Sequence, residues 1–293
     1  MKNVKIIAID LDGTLISSET NYRISKTNIR ALKKAIERDI HIAIITGRNY
    51  LSARMVLDET GDNIIKNLPL SLQNGSILIE GNTGTLLKAY DLDKNVARNI
   101  IRDMRIEDID IMLYDNIERG LSIFVEKREF NIAIESYLQS REKGISDKRA
   151  VVRVDSIEQI LDFNPIQIAT IDREIIIDKF IKILDSGYKN LVKVIKTGSY
   201  LDDGDWWWLE VFNKSCSKRQ GLKDICELYN VDVDNSVYIG DNFNDIEAMQ
   251  QAGFSIAVEN APEDIKKVCD MVVRSNNENG VAEAIDFILG GNI

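Results

Sequence analysis

With 293 residues the chain has room for one large domain or two ordinary ones, and 44% hydrophobic with 29% charged residues marks a folded rather than a disordered chain. A formal net charge of −10 argues against nucleic acid as the main partner, because phosphate backbones bind basic faces. Three scattered cysteines and one histidine leave no disulfide framework and no multi-histidine centre, so any chemistry falls to carboxylates, Lys, Thr and Asn.

The chain begins with an apolar run over residues 4–9 that breaks at Asp10-Leu11-Asp12-Gly13-Thr14. That break, with no small-residue cleavage site after it, speaks against a signal peptide, and no run reaches transmembrane length. A cytoplasmic protein without a membrane partner is expected. Alternation along an extended strand points Asp10 and Asp12 to the same side, with Gly13 permitting a sharp exit. Ionised carboxylates at the edge of an apolar core need a cation or hydrogen-bond donors. Taken alone, the segment also reads as a strand ending in an ordinary Asp-Gly turn.

Ser25 reads as the N-cap of a helix carrying Ile29, Leu32 and Ile36 on one face. A second apolar strand over 42–45 ends in Thr46-Gly47-Arg48, with His41 at its edge in a structural role. A helix to about residue 57 and a short strand over 70–72, ending at Asn74-Gly75, follow. Continuous apolar strands between amphipathic helices imply an α/β fold, a doubly wound parallel sheet covered on both faces. From about residue 80 to 212 the rhythm changes. Helices near 91–103, 128–141 and 173–185 alternate with strands over 109–114, 121–125, 166–171, 191–196 and 206–212, the pattern of an α+β insert with an antiparallel sheet. The α/β rhythm returns with a helix over 220–228, a strand over 236–239, a helix over about 245–251 and a strand over 254–258. The expected organisation is a discontinuous core of residues 1–80 and 214–293 with an inserted domain of residues 81–213.

The strand over 236–239 runs into a second acidic cluster, Gly240-Asp241-Asn242-Phe243-Asn244-Asp245. Ligands of open α/β sheets bind outside the carboxyl ends of the strands. Asp10, Asp12, Thr46 and Asp241 all fall there, each acidic cluster and the threonine in a loop after a strand. An all-oxygen rim of this kind suits Mg²⁺.

In order and spacing these segments resemble the motifs of the haloacid-dehalogenase superfamily, and specifically its Cof-like type-IIB hydrolases, over essentially the whole chain. Asp10-Leu11-Asp12-Gly13-Thr14 is similar to the first motif, Ile45-Thr46-Gly47-Arg48 to the second and Gly240–Asp245 to the fourth. Lys218 fits the third, with Lys214 as its competitor. Further similarity runs through Ala252-Gly253, Ala257-Val258, Asn260-Ala261 and Asn279-Gly280-Val281. The resemblance implies a Rossmann-like core with a type-IIB cap that covers the active site and moves on linkers near 80–83 and 213–216. It implies a Mg²⁺-dependent phosphatase in which Asp10 attacks phosphorus and Asp12 serves as acid and then base. Metal contacts would come from Asp10, Asp12 through its backbone carbonyl, Asp241 and the nearby Asp245. Thr46, Gly47, Lys218 and Asn244 would bind the phosphoryl group. The implied partner is a small phosphorylated metabolite, a sugar phosphate or phosphorylated cofactor, acted on by a monomer or weak homodimer.

Two features depart from the pattern. Arg219 follows Lys218 where the family often carries a small residue, and is expected to point outward. Trp206-Trp207-Trp208, after Leu201-Asp202-Asp203-Gly204-Asp205, must place rings on both faces of a strand, for packing or for stacking on a ligand. A phosphomutase of the same superfamily and a non-catalytic metabolite-binding protein remain the competing readings.

Overall fold

A computed structural model describes residues 3–81, 83–115, 122–144, 151–199 and 205–291. The chain forms two compact units, residues 1–88 with 217–293, and residues 89–216.

In the first unit, eight strands form one sheet. Its middle holds β1 (Ile6–Ile9), flanked by β2 (His41–Ile45) and β12 (Ser236–Gly240), both parallel to it. β13 (Phe254–Val258) and β14 (Met271–Val273) extend one side in parallel. On the other side β3 (Leu70–Leu72) is parallel to β2, whereas β4 (Ile77–Ile79) turns back antiparallel and β5 (Leu86–Ala89) ends the sheet. The apolar runs are strands because both faces are covered. Ile6 and Ala8 face a cluster with Leu222, Ile225, Met249 and Ile265, from α8 (Lys218–Leu228), α9 (Ile246–Met249) and α10 (Glu263–Lys266). Ile7 and Ile9, equally buried, alternate to the other face. There α1 (Lys26–Ile36) and α11 (Gly280–Leu289) pack on one another, and α1 also meets β2. Ser25 caps α1 as expected, accepting from Asn28 N. α2 (Tyr50–Glu59) and α3 (Asn63–Lys66) complete the connection from β2 to β3.

The unit boundaries fall later than the joints expected after residues 80 and 213. β4 and β5 belong to the first sheet. β5 alternates half-buried and exposed residues, so it lacks the continuous apolar run that marks the other core strands.

The second unit carries a six-stranded sheet in the order β10 (Val192–Gly198), β11 (Trp206–Asn213), β9 (Gln167–Arg173), β6 (Met112–Tyr114), β7 (Ile123–Glu126) and β8 (Val151–Val154). Four neighbouring pairs are antiparallel, but β7 and β8 are parallel, so the sheet is mixed rather than purely antiparallel. The crossover between them contains α5 (Ile132–Gly144), as a parallel connection requires. α4 (Lys94–Ile106) and α7 (Glu174–Gly187) bury Ile100, Ile101, Met104, Ile177, Phe180 and Leu184 against one sheet face. A short α6 (Ile157–Ile160) adds Ile157 to the same core.

The tryptophans divide as alternation demands. Trp207 joins the α4/α7 core and lies under Lys196 Nζ, 4.4 Å from its ring centroid. Trp206 stacks under the Arg173 guanidinium at 4.0 Å, and Trp208 meets Tyr137 edge-on at 4.8 Å. Residues 201–204, which precede this strand, lie outside the described residues. His41 stacks on Tyr229 at 3.8 Å, at the edge of β2, and the three cysteines are free thiols. Among the described residues, no helix is long and apolar enough to cross a membrane.

Candidate active site

Parallel strands direct their carboxyl ends to one rim of the first sheet, and the chain places its polar groups there. Asp10 follows β1 directly and is 3% exposed. Its Oδ1 lies 2.8 Å from Lys218 Nζ, on the first residue of α8. That helix starts where Ser217 Oγ accepts from Gln220 N at 3.1 Å, and the cap delivers Lys218 into the interior, 2% exposed. Lys218 Nζ also donates to Asp245 Oδ1 at 2.7 Å. Lys214, by contrast, is exposed and lies in the other unit. Arg219 is exposed and turned toward Glu247, 4.0 Å away.

Asp245 is completely buried. Its Oδ1 accepts from Tyr238 Oη at 2.6 Å as well as from Lys218, and its Oδ2 accepts from the backbone N–H groups of Asp241 and Asn242 at 3.1 and 2.9 Å. Both oxygens are therefore engaged, and the residue shapes the loop that presents Asp241. Thr14 Oγ1 donates to Asp241 Oδ1 at 2.6 Å. Gly13 takes φ +78°, and a Cβ there would stand 2.3 Å from Asp241 Oδ2, so the close approach of the two acidic loops requires glycine.

Asp12 turns to a different partner. Arg48 grips it with both arms, Nε to Oδ2 at 2.7 Å and Nη2 to Oδ1 at 2.6 Å. Asn260 Nδ2 donates to the carbonyl of Gly13 at 2.8 Å, and Asn276 Nδ2 to that of Ile16 at 3.1 Å, so residues far along the chain hold this loop. Thr46 follows β2, buried, its Oγ1 accepting from Arg48 N at 3.1 Å, and among the described residues nothing accepts its hydroxyl hydrogen. Gly47 lies against the Asn74 amide. Asn244 Nδ2 donates to Asn74 Oδ1 at 3.0 Å.

The electrostatics are those of a site short of positive charge. Burial lifts the Asp10 carboxyl well above the usual carboxylate range; Asp245 and Asp241 push it the same way while Lys218 pulls it back. Burial, then the Asp245 charge, raises Asp241 to about 6 against the hydrogen bond from Thr14. Burial alone would lower the Lys218 ammonium, but Asp10 and Asp245 outweigh it and hold Lys218 above its ordinary range.

One oxygen each from Asp10, Asp241 and Asp245 lie within 4.8 Å of one another. An oxygen-only donor set whose carboxyls are penalised by burial and by one another fits a hard divalent cation. The Asp12 carboxylate stands outside that cluster, paired with Arg48.

The sequence pattern thus brings Asp10, Lys218, Asp241 and Asp245 together, with Thr14 reaching Asp241. It did not reveal the partners Arg48 for Asp12, Tyr238 for Asp245 or Asn74 for Asn244. Arg48 stood inside the Thr46-Gly47-Arg48 segment, whereas Tyr238 sits in an apolar strand with no polar pattern to mark it.

The profile of the haloacid dehalogenase-like hydrolases matches residues 7–285. The chain is 26% identical to the 5-amino-6-(5-phospho-D-ribitylamino)uracil phosphatase YwtE of Bacillus subtilis (strain 168), over 98% of this chain and 99% of that protein. It is also 26% identical to the phosphatase YwpJ of the same organism, over 98% of this chain and all of that one. The crystal structure of TM0651 from Thermotoga maritima superposes with a TM-score of 0.77 at 25% identity, covering 97% of both chains. The subclass IIB sugar phosphatase BT4131 shares the fold, with a TM-score of 0.74 at 21% identity over 99% of this chain and all of that one. Matched from the strand that carries Asp10 to its last helix, the chain belongs to the haloacid dehalogenase-like hydrolases.

Proposed function

We propose that the chain is a Mg²⁺-dependent phosphatase that hydrolyses small phosphomonoesters through an aspartyl-phosphate. The observation that carries this reading is the convergence of Asp10 with Lys218 and Asp241 at the carboxyl rim of the sheet. Asp10 would attack phosphorus as the bond to the leaving alcohol breaks, and a water would later cleave the phosphoryl group from the Asp10 carboxylate. Lys218 and the Thr46 hydroxyl would take up negative charge on the phosphoryl oxygens. A divalent cation held by Asp10, Asp241 and the Asp12 carbonyl would supply the positive charge that both carboxylates and the phosphoryl group call for. Asp245 would hold Lys218 and the Asp241 loop in place.

Asp12 would give its proton to the leaving oxygen and then accept one from the attacking water. Both Asp12 oxygens face the Arg48 guanidinium, so this bidentate pair must open for Asp12 to reach the leaving oxygen. YwtE is named for a phosphoribityl compound, and BT4131 for sugar phosphates. Of the expected substrates, a sugar phosphate or a phosphorylated cofactor, those names favour a phosphorylated sugar or ribityl compound.

The test is phosphate release from p-nitrophenyl phosphate with Mg²⁺, then from a panel of sugar phosphates and 5-amino-6-(5-phospho-D-ribitylamino)uracil. Turnover that falls at least about 10³-fold in Asp10→Asn and stops with EDTA is the expected result. Turnover that survives Asp10→Asn would remove Asp10 as nucleophile; a sugar returned as its isomeric phosphate would mark a mutase instead.

A further inference from the structure

The loop after β3 is built at a conformational cost. Gln73, Asn74 and Gly75 have φ of +48°, +56° and +86°, three successive residues in the left-handed region, two of them not glycine. Strain of this kind persists only where surrounding contacts hold it. Here Gln73 N donates to the Arg48 carbonyl and Asn74 N to the Thr46 carbonyl, both at 3.0 Å. A Cβ on Gly75 would stand 2.1 Å from the Ser217 carbonyl, directly before Lys218. The Asn74 side chain, 2% exposed, touches Gly47 and accepts from Asn244 Nδ2. One strained loop therefore abuts all three segments proposed to bind the phosphoryl group: Thr46-Gly47, Lys218 and Asn244.

Asn244 shows what this contact is for. Its Nδ2 carries two hydrogens, and the bond to Asn74 uses one. Its Oδ1 is buried and has no hydrogen-bond partner among the described residues. A part-buried amide with one anchored hydrogen, one spare donor and a buried, unmet acceptor is oriented for a ligand rather than satisfied by the fold. An unanchored Asn side chain would rotate, and the spare donor would lose its direction.

We propose that Asn74 is a positioning residue for phosphoryl binding, holding the Asn244 amide through its Oδ1 while the left-handed Gln73–Gly75 turn keeps the Thr46 and Lys218 segments in register. The proposal rests on the phosphatase reading for its ligand, but its test does not need turnover.

The decisive variant is Asn74→Gly. Glycine accepts a positive φ more readily than asparagine, so the turn and the fold are kept while the amide contact is removed. Binding of inorganic phosphate in the presence of Mg²⁺ is measured by calorimetry for the whole protein, Asn74→Gly, Asn244→Ala and the double variant. Each single variant should weaken phosphate about tenfold, the loss of one hydrogen bond to a charged group. The double variant should be no weaker than either, because the two residues act as a unit. For p-nitrophenyl phosphate, KM should rise in parallel, with kcat changed much less.

Asn74→Gly binding phosphate as tightly as the unaltered protein, while Asn244→Ala loses it, overturns the proposal. So do multiplying losses in the double variant, or an unaltered protein that binds no phosphate. Phosphate binding that follows the expected pattern without any turnover would uphold Asn74 and sink the catalytic reading instead.

Discussion

Both units bury a carboxyl on a sheet, and they treat it in opposite ways. In the residue 89–216 unit, Glu210 stands on β11 with Gln167 Nε2 donating to its Oε1 at 2.7 Å, and burial pushes its carboxyl up to about 7. Its partner is one amide donor, and among the described residues no second acid or lysine shares the shift. In the other unit, burial raises Asp10 and Asp241 alike, but there the acids crowd one another and Lys218 around a common point. A lone lifted carboxyl is a local cost of packing. Two lifted carboxyls crowded beside one lysine are an arrangement that asks for a cation and an anion to complete it.

Removing the lysine should have the largest effect. Lys218→Met leaves Asp10 and Asp245 buried without their counter-charge, so turnover should fall at least about 10²-fold and stability by about 3 kcal/mol near neutral pH. The stability loss should shrink in acid, because the stranded Asp10 carboxyl, already raised by burial, then takes up a proton; denaturant melts across the pH range read this dependence. A loss that stayed constant with pH would mean that the carboxyls do not depend on Lys218.

Asp241→Asn separates charge from shape, since the amide oxygen can still accept from Thr14. A carboxyl raised in the folded state contributes stability below its unfolded pKa and loses it as pH rises through about 6. Without metal, the variant should therefore melt about 2 °C or more above the unaltered protein near pH 8, and match it near pH 4. Mg²⁺ should raise the melting temperature of the unaltered protein only. A variant that still responds to Mg²⁺ would take Asp241 out of the metal site.

Glu210→Gln, the counterpart in the second unit, should do least. Its stabilising contribution is present in acid and lost as pH rises through about 7, so the variant should melt about 2 °C or more higher near pH 8.5 and stay unchanged near pH 4, with the smallest effect on activity of the three. Hydrolysis of p-nitrophenyl phosphate should stay the same. A large loss of turnover would mean that the comparison between the two acids is wrong.

Local chemistry was legible wherever a residue type and its neighbours along the chain carry the information. The runs ending at Asp10, Thr46 and Asp241 announced strands buried on both faces, and the polar residues at their ends announced a rim, because parallel strands can expose such groups only there. Ser25 announced a helix start through its reach to a backbone N–H three residues on, whereas the cap Ser217 starts its helix two residues before the expected residue 220. Weak patterns stayed silent. β5 alternates without a continuous apolar run and β8 has no fully buried residue, so neither stood out as a strand. The pairing of Asp12 with Arg48, of Asp245 with Tyr238 and of Asn244 with Asn74 was beyond sequence reading for a different reason. A hydrogen bond depends on ångström distances between side chains delivered by separate strands, and only the assembled sheet sets those distances. Which groups reach the rim follows from residue order along the chain; which of them become partners follows from the assembled sheet, because burial in a shared low-dielectric space makes each carboxyl answer to its neighbours.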